Sequence, residues 1–201
     1  KEKGYAAFVC ECTNFQTMPV FVNKSIVFIN LSRNNISSIP ENIFQNMTHL
    51  RVLLLIENRI MELKPGIFDE SQRLFTINLR NNEITAVPER CFVDLPELNE
   101  IDLRFNRITL IAPNALVDLP VLNLLSFRSN MIESISRSIF NNVPNLGEAR
   151  FDTNQITSIP ETFFQAFPIA TTLRFEENSL TAIPESFATQ SPILRTLYLS
   201  S

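Results

Sequence analysis

Several residue types are scarce in this chain, and each shortage excludes a class of function. The chain has one histidine, His49, and only three glycines. Most general-base and triad arrangements need an imidazole beside a nucleophile, and phosphate-binding loops need glycines at fixed spacing. His49 stands beside Leu50, where a predicted strand begins, and we interpret it as a partly exposed filler. We therefore expect no enzyme activity, no catalytic residue and no cofactor in this chain.

Positive charge and long apolar runs are also scarce. The net charge is −4, the last lysine is Lys64, and no stretch carries a run of basic residues. Nucleic acid is excluded as a partner on these electrostatic grounds. No apolar run approaches the roughly 20 residues that cross a bilayer, and the first four residues lack the apolar segment of a signal peptide. Membrane attachment, if any, is expected through parts outside this chain.

The aromatic residues are nearly all of one kind. The chain has no tryptophan and two tyrosines against 17 phenylalanines, which points to an aromatic used inside rather than at a surface. With 45% hydrophobic residues over 201 positions, the chain is long enough to bury a sizeable core. It is therefore predicted to be folded and not disordered.

An internal repeat of 24 residues organises the chain. The same asparagine returns seven times at this spacing, at Asn34, Asn58, Asn82, Asn106, Asn130, Asn154 and Asn178. Residues 50–60 show the pattern LxxLxLxxNxI, and the second half of each unit reads IPxxxFxxLPxL, as at Ile39, Pro40 and Phe44. Such a fixed period is the signature of a solenoid.

The pattern predicts where each part of a repeat points. Alternation at Leu53 and Leu55 predicts a short strand with these side chains inward and the intervening ones facing solvent. Strands in the same register stack as a parallel sheet, and the phenylalanines after the Ile-Pro pair can stack from turn to turn. The repeated asparagine can pair backbone groups that would otherwise be buried without partners. We interpret the asparagines as scaffold and not as a binding site.

These motifs resemble the typical-class, 24-residue leucine-rich repeats of extracellular proteins. Slit-like proteins, small matrix proteoglycans, Toll-like receptor ectodomains and variable lymphocyte receptors share this consensus, and the resemblance covers about residues 8 to 201. It implies an α/β solenoid, a horseshoe with a parallel concave sheet and a mostly 3₁₀ or extended convex side. Residues 1–25 are predicted as a partial amino-terminal cap, and residues 26–201 as about 7.5 repeats. The chain is expected to continue beyond Ser201.

The three cysteines separate into two groups. Cys91 falls at a position held by Ile43 and Ile67 in the preceding repeats, and is predicted to be a buried free thiol. Cys10 and Cys12 lie in the segment that resembles a cysteine-bearing cap, which usually has four cysteines. The resemblance implies a cap disulfide, but either thiol could also pair with a cysteine outside this chain, so the connectivity stays open. Two cysteines and one distant histidine make no four-ligand zinc set, and no metal site is expected.

Two candidate binding features fall on the predicted concave face. Arg80, Arg104 and Arg128 occupy one column in successive repeats, with Arg150 and Arg174 in the next column. A row of guanidinium groups at the strand spacing of about 4.8 Å suits carboxylates, sulfates or backbone carbonyls of a partner. The alternative interpretation is ordinary surface charge balanced by the acidic residues Asp102, Glu148, Asp152 and Glu176.

The second feature is an apolar patch formed by Val52, Leu54 and Ile56 on one strand, with Phe105 among the nearby aromatics. Clusters of exposed apolar residues mark contact surfaces more often than scattered single residues do. The patch is therefore predicted to contact a partner.

Glycosylation sequons occur only in the first quarter of the chain, at Asn23, Asn30, Asn35 and Asn46. Their clustering fits a secreted protein, and Asn30 is expected to point from the concave face, where a glycan would shield the first two repeats. An extracellular or cell-surface location is predicted.

The leading hypothesis is an extracellular protein-binding module of a receptor, adhesion or matrix protein, with a role in cell adhesion or innate immunity, which binds its protein partner through the concave face. One alternative is the accessory repeat region of a larger secreted enzyme. Others are an immune module that binds glycans and an intracellular scaffold.

Overall fold

Nine short parallel strands form one continuous sheet along the protein. The computed structural model describes residues 6–200. Each strand pairs with the next one in the solenoid, in a register that places equivalent repeat positions side by side, as Leu53 opposite Ile77 and Ile77 opposite Ile101. The strands are Ala6–Val9, Ile26–Asn30, Val52–Leu54, Thr76–Asn78, Glu100–Asp102, Leu124–Ser126, Glu148–Arg150, Thr172–Arg174 and Thr196–Tyr198. We call the solvent-facing side of this sheet the concave face.

The rest of each turn is mostly irregular, with little helix. A three-stranded sheet is formed by Phe92–Val93, Leu116–Val117 and Phe140–Asn141, and a two-stranded sheet by Ala86–Val87 and Leu110–Ile111. Two 3₁₀ helices, Arg137–Ile139 and Phe163–Ala166, and one α-helix, Phe187–Gln190, complete the elements. Among the described residues, no helix has the length and apolar character needed to cross a membrane.

The alternation along each strand sorts side chains between core and solvent. Leu53 and Leu55 are fully buried, whereas Val52, Leu54 and Ile56 are half-buried on the concave face. The predicted inward and outward directions of these side chains are therefore confirmed. Because the pattern returns every 24 residues, one apolar core runs the length of the solenoid.

Phenylalanines stack from turn to turn within this core, as the sequence predicted. The rings of Phe44 and Phe68 lie 5.8 Å apart and those of Phe68 and Phe92 5.5 Å apart, nearly parallel in the second pair. A second column continues at Phe151 and Phe175, with centroids 5.4 Å apart. Stacked aromatic pairs of this kind add stability beyond the area that they bury.

The repeated asparagines join each turn to its neighbours. The side-chain amide of Asn106 donates to the carbonyl oxygens of Leu79 and Leu103, both at 3.0 Å, and its own oxygen accepts from the N–H of Ile84 at 3.1 Å. Asn58, Asn82, Asn130, Asn154 and Asn178 repeat this arrangement. These buried amides satisfy backbone groups of two turns at once, which confirms their scaffold role.

Residues at the amino end cover the first repeat. The strand Ala6–Val9 extends the long sheet, and Phe8 packs edge-on against Phe21 at 5.3 Å. Asn34 accepts hydrogen bonds from the N–H groups of Thr13 and Phe15 at 3.2 and 3.0 Å. This segment lies within the cap predicted for residues 1–25. Residues 1–5 and Ser201, at the outer limits of the two predicted domains, lie outside the described residues.

Cys91 is fully buried, as expected for its position in the repeat. Burial raises the pKa of the Cys91 thiol far above its usual range, with a smaller contribution from Asp69. Cys10 is half-buried and Cys12 is exposed, and both are free thiols in this structure. The disulfide that the resemblance implied for Cys10 and Cys12 stays a prediction.

Candidate functional site

The concave face carries the residues that the repeat leaves free to vary, and they divide it into two zones. The first zone is apolar. Val52 lies opposite Phe28 in the sheet, and with Leu54 and Ile56 these side chains form a half-buried group that we call the apolar patch. Asn30, which lies opposite Leu54, closes one side of the patch.

The second zone contains the predicted arginine columns, and most of their guanidinium groups are paired within the sheet. Arg104 binds Asp102 with two hydrogen bonds, Nε to Oδ1 at 2.9 Å and Nη2 to Oδ2 at 2.6 Å. Arg128 Nε lies 3.1 Å from an oxygen of Asp152. The structure thus favours the alternative of mutually balanced charges at these positions over a row of free donors.

The neighbouring column behaves in the same way. Arg150 Nε donates to Glu148 at 2.7 Å, and Arg174 Nη1 donates to Glu176 at 3.0 Å. Arg174 Nε also lies 3.6 Å from Glu148, so this carboxylate joins two arginines. Four of the five arginines therefore bind a carboxylate of the same strand or of the next strand, and the two columns do not form a row of free cations.

Burial perturbs the charged groups in this zone. Burial and the nearby charge of Asp102 raise the pKa of Glu100, and burial raises the pKa of Asp152 despite the attraction of Arg128. The hydrogen bond to Asp102 raises the pKa of Arg104. Raised carboxyl pKa values indicate that the folded sheet solvates these anions less well than water does.

A recess of about 230 Å³ opens near the centre of the concave face. Ser126, which is 3% exposed, lies between Asp102 and Arg150 in the same column, and its hydroxyl oxygen has no hydrogen-bond partner among the described residues. The recess is lined by Glu100, Asp102, Arg104, Leu124, Ser126 and Arg150. The Ser126 side chain is shorter than those of Asp102 and Arg150 on either side, and the space that it leaves is large enough for one side chain.

Other buried polar atoms of the concave face share this lack of partners. Within residues 6–200, hydrogen-bond partners are missing at Arg80 Nε, Asp152 Oδ1, Arg174 Nε and Glu176 Oε2. Buried polar atoms are normally satisfied, so such a cluster needs an explanation. All four atoms belong to residues in the two columns of the repeat that contain the arginines.

The sequons differ in accessibility. Asn23 and Asn46 are exposed, whereas Asn35 is half-buried and donates its amide to Asn14. Asn30 is 8% exposed, and its amide donates to Glu11 of the amino-terminal segment. Asn30 is thus less accessible on the concave face than the sequence suggested, and its glycosylation stays a prediction.

Sequence reasoning missed two features of this face. Phe105 was predicted as part of a hydrophobic contact, but the structure places the guanidinium carbon of Arg80 5.1 Å from its ring centroid. The recess was also missed, although a serine between Asp102 and Arg150 in one column was a signal for it. His49 is exposed beside Thr48, and the described residues contain no cluster of three or more metal-binding side chains.

Comparison with known families identifies the repeats directly. The model described as Leucine rich repeat matches three overlapping windows, residues 24–84, 48–108 and 72–132, which together span more than half of the chain. No significant match was found among curated proteins. Repeats of this kind are generally protein-interaction modules and typically non-enzymatic scaffolds. The predicted solenoid class is confirmed, and the chain belongs to the leucine-rich repeat family.

Proposed function

We propose that this protein is an extracellular or cell-surface recognition module of a receptor, adhesion or matrix protein, which binds a protein partner through its concave face. One observation carries the proposal: a half-buried apolar patch lies on this face beside a recess of about 230 Å³ lined by charged side chains. A partner that covers the patch and places a side chain in the recess removes this apolar surface from water, which favours binding.

The distribution of side chains supports a protein as the partner. Protein interfaces combine an apolar centre with polar groups at a rim, and the apolar patch and the paired charges provide both on one sheet. A sulfated glycan would need uncompensated cations, and four of the five arginines in the columns already bind carboxylates. These pairings speak against the glycan-binding alternative.

The extracellular location rests on the sequons. Asn23 and Asn46 lie on exposed loops, where a glycosyltransferase could reach them. The proposal that the chain is not an enzyme rests on the family and on the scarcity of histidine. The accessory repeat region of a larger secreted enzyme is the alternative role for the same binding surface.

The proposal is tested with one substitution in the recess. The protein is screened against a library of secreted and cell-surface ectodomains, and each binder is tested again with Ser126→Arg. Arginine occupies the equivalent position in the next two repeats, at Arg150 and Arg174, so the fold accommodates it. We expect the substitution to abolish binding, because its side chain fills the recess.

Ser134→Arg is the matched control, since Ser134 is exposed and lies outside the nine-stranded sheet. Binders should tolerate this change. Binders that ignore Ser126→Arg but are lost with Ser134→Arg would place the interface elsewhere and contradict the proposal.

A further inference from the structure

Arg80 differs from the other arginines of the concave columns. Arg104, Arg128, Arg150 and Arg174 each lie within 3.1 Å of a carboxylate oxygen. Among residues 6–200, no carboxylate pairs with Arg80, and its buried Nε has no hydrogen-bond acceptor. The side chain is only half-exposed, so solvent satisfies its donors incompletely. Arg80 is therefore an incompletely satisfied cation in a face whose other column arginines are neutralised.

Phe105 holds the guanidinium group in place. The guanidinium carbon of Arg80 lies 5.1 Å from the centroid of the Phe105 ring, within the range of a cation–π contact. Phe105 is 40% exposed and has a φ of 55°, a left-handed conformation that is uncommon for a bulky residue. Asn81 and Ser129 hold the equivalent positions in the neighbouring repeats with similar φ angles, so the turn imposes this geometry. The turn thereby presents an aromatic ring beside the free cation.

The apolar patch lies on the other side of Arg80. Ile56 occupies the same column one repeat earlier, and the N–H of Glu57 donates to the carbonyl of Arg80 at 3.0 Å, which places the two turns side by side. Apolar neighbours lower the local dielectric constant, and a charge-assisted hydrogen bond formed there is stronger than one in water. A carboxylate brought to Arg80 would therefore be bound between Phe105 and the apolar patch.

We propose that the Arg80 site, formed by Arg80 and Phe105 beside the apolar patch, binds an acidic side chain of an extended segment of the partner protein, with a neighbouring aliphatic side chain on the patch. The proposal rests on concave-face binding and specifies its partner chemistry. Neighbouring strands are about 4.8 Å apart, and an extended chain advances about 3.3 Å per residue. Because successive side chains of an extended chain point to opposite faces, the acidic and aliphatic residues lie two positions apart in the partner segment.

The probe is a phage-displayed library of random 12-residue peptides, selected on the folded protein. We expect enrichment of peptides in which Asp or Glu lies within two residues of Leu, Ile or Val. Arg80→Gln should lower the affinity of the enriched peptides by about tenfold or more. Replacement of the peptide's own acidic residue by its amide should have the same effect, because each change removes one charged hydrogen bond. Combining both changes should add little further loss.

Arg128→Gln is the matched control, because it removes the same charge from the same column at an arginine already paired with Asp152. Its effect on peptide affinity should stay within about twofold. Equal losses for Arg80→Gln and Arg128→Gln would indicate general attraction by positive charge and overturn the proposal. Circular dichroism of each variant establishes that the fold is intact.

The remaining outcomes separate this inference from the concave-face proposal. Enriched peptides without acidic residues that are still lost with Ser126→Arg would retain concave-face binding and overturn the Arg80 site. Peptides insensitive to both Ser126→Arg and Arg80→Gln would overturn both. A selection that does not enrich acidic peptides would also overturn the inference. So would a sulfated heparin fragment that binds the protein, loses this binding with Arg80→Gln and displaces no peptide.

Discussion

At the scale of single residues, the repeated asparagine contributes more than any surface charge. Asn106 connects carbonyl groups of two turns with one amide and accepts an N–H from a third segment of backbone. All of these groups are buried, so water cannot replace the side chain when it is removed. The asparagine is therefore a structural requirement of each turn, and its recurrence in the sequence carries no information about the partner.

Asn106→Ala is expected to lower the free energy of unfolding by about 3 kcal/mol, since it leaves several buried backbone groups unsatisfied. Urea denaturation followed by circular dichroism measures the change. Asn123→Ala is the control, because Asn123 is exposed and should change stability by less than about 0.5 kcal/mol. Similar values for the two variants would contradict the scaffold role.

At the scale of the element, each strand is only a few residues long, and one of its faces packs in the core while the other faces solvent. Leu53 is fully buried in the core, whereas Leu54, the next residue, is half-buried on the concave face. The backbone hydrogen bonds that join this strand to its neighbours, such as the one from Leu31 N–H to the Leu54 carbonyl at 2.9 Å, do not involve the side chain at position 54. Variation on the concave face is therefore compatible with one constant scaffold.

Leu54→Arg should leave the protein folded, with a change in stability of less than about 1 kcal/mol, because the introduced charge can reach solvent as Arg150 and Arg174 do at the equivalent position. Leu53→Arg places the same charge in the core and should prevent folding. Thermal unfolding of the two variants provides the measurement. A folded Leu53→Arg variant together with an unfolded Leu54→Arg variant would reverse the assigned faces.

At the scale of the whole molecule, the solenoid is a stack in which each turn contacts mainly its neighbours. Equivalent positions align in every pair of strands, from Phe28 opposite Val52 to Leu173 opposite Leu197. The free energy of unfolding of such an array is approximately the sum of the contributions of the single turns and of the interfaces between neighbouring turns. The number of turns can therefore change without altering the fold, provided that the register is kept.

Deletion of residues 99–122, one complete repeat, should yield a protein that folds and unfolds cooperatively, because Leu98 then precedes Asn123 as Leu122 does now. Deletion of residues 99–121 removes one residue fewer and shifts every later strand by one position. Such a shift turns buried side chains toward solvent, so this variant should fail to fold. Circular dichroism and size-exclusion chromatography compare the two proteins, and equal folding of both would contradict strict register.

The sequence by itself determined the repeat length, the inward positions of each strand and the role of the asparagine, because all three follow from a period that recurs seven times. It also located the residues that the scaffold leaves free, including Val52, Leu54 and Ile56. The physical reason is that local alternation and a constant register fix which side chains are buried, whatever the rest of the surface contains.

Only the tertiary structure decided how the free residues interact. The arginine columns were visible in the sequence, but their pairing with Asp102 and Asp152 depends on contacts within a strand and between strands. The same holds for Glu11 over Asn30, whose positions in the sequence are 19 residues apart. Which column arginine lacks a carboxylate partner among the described residues, here Arg80, depends on side-chain geometry across the assembled sheet, and a repeat pattern does not contain that information.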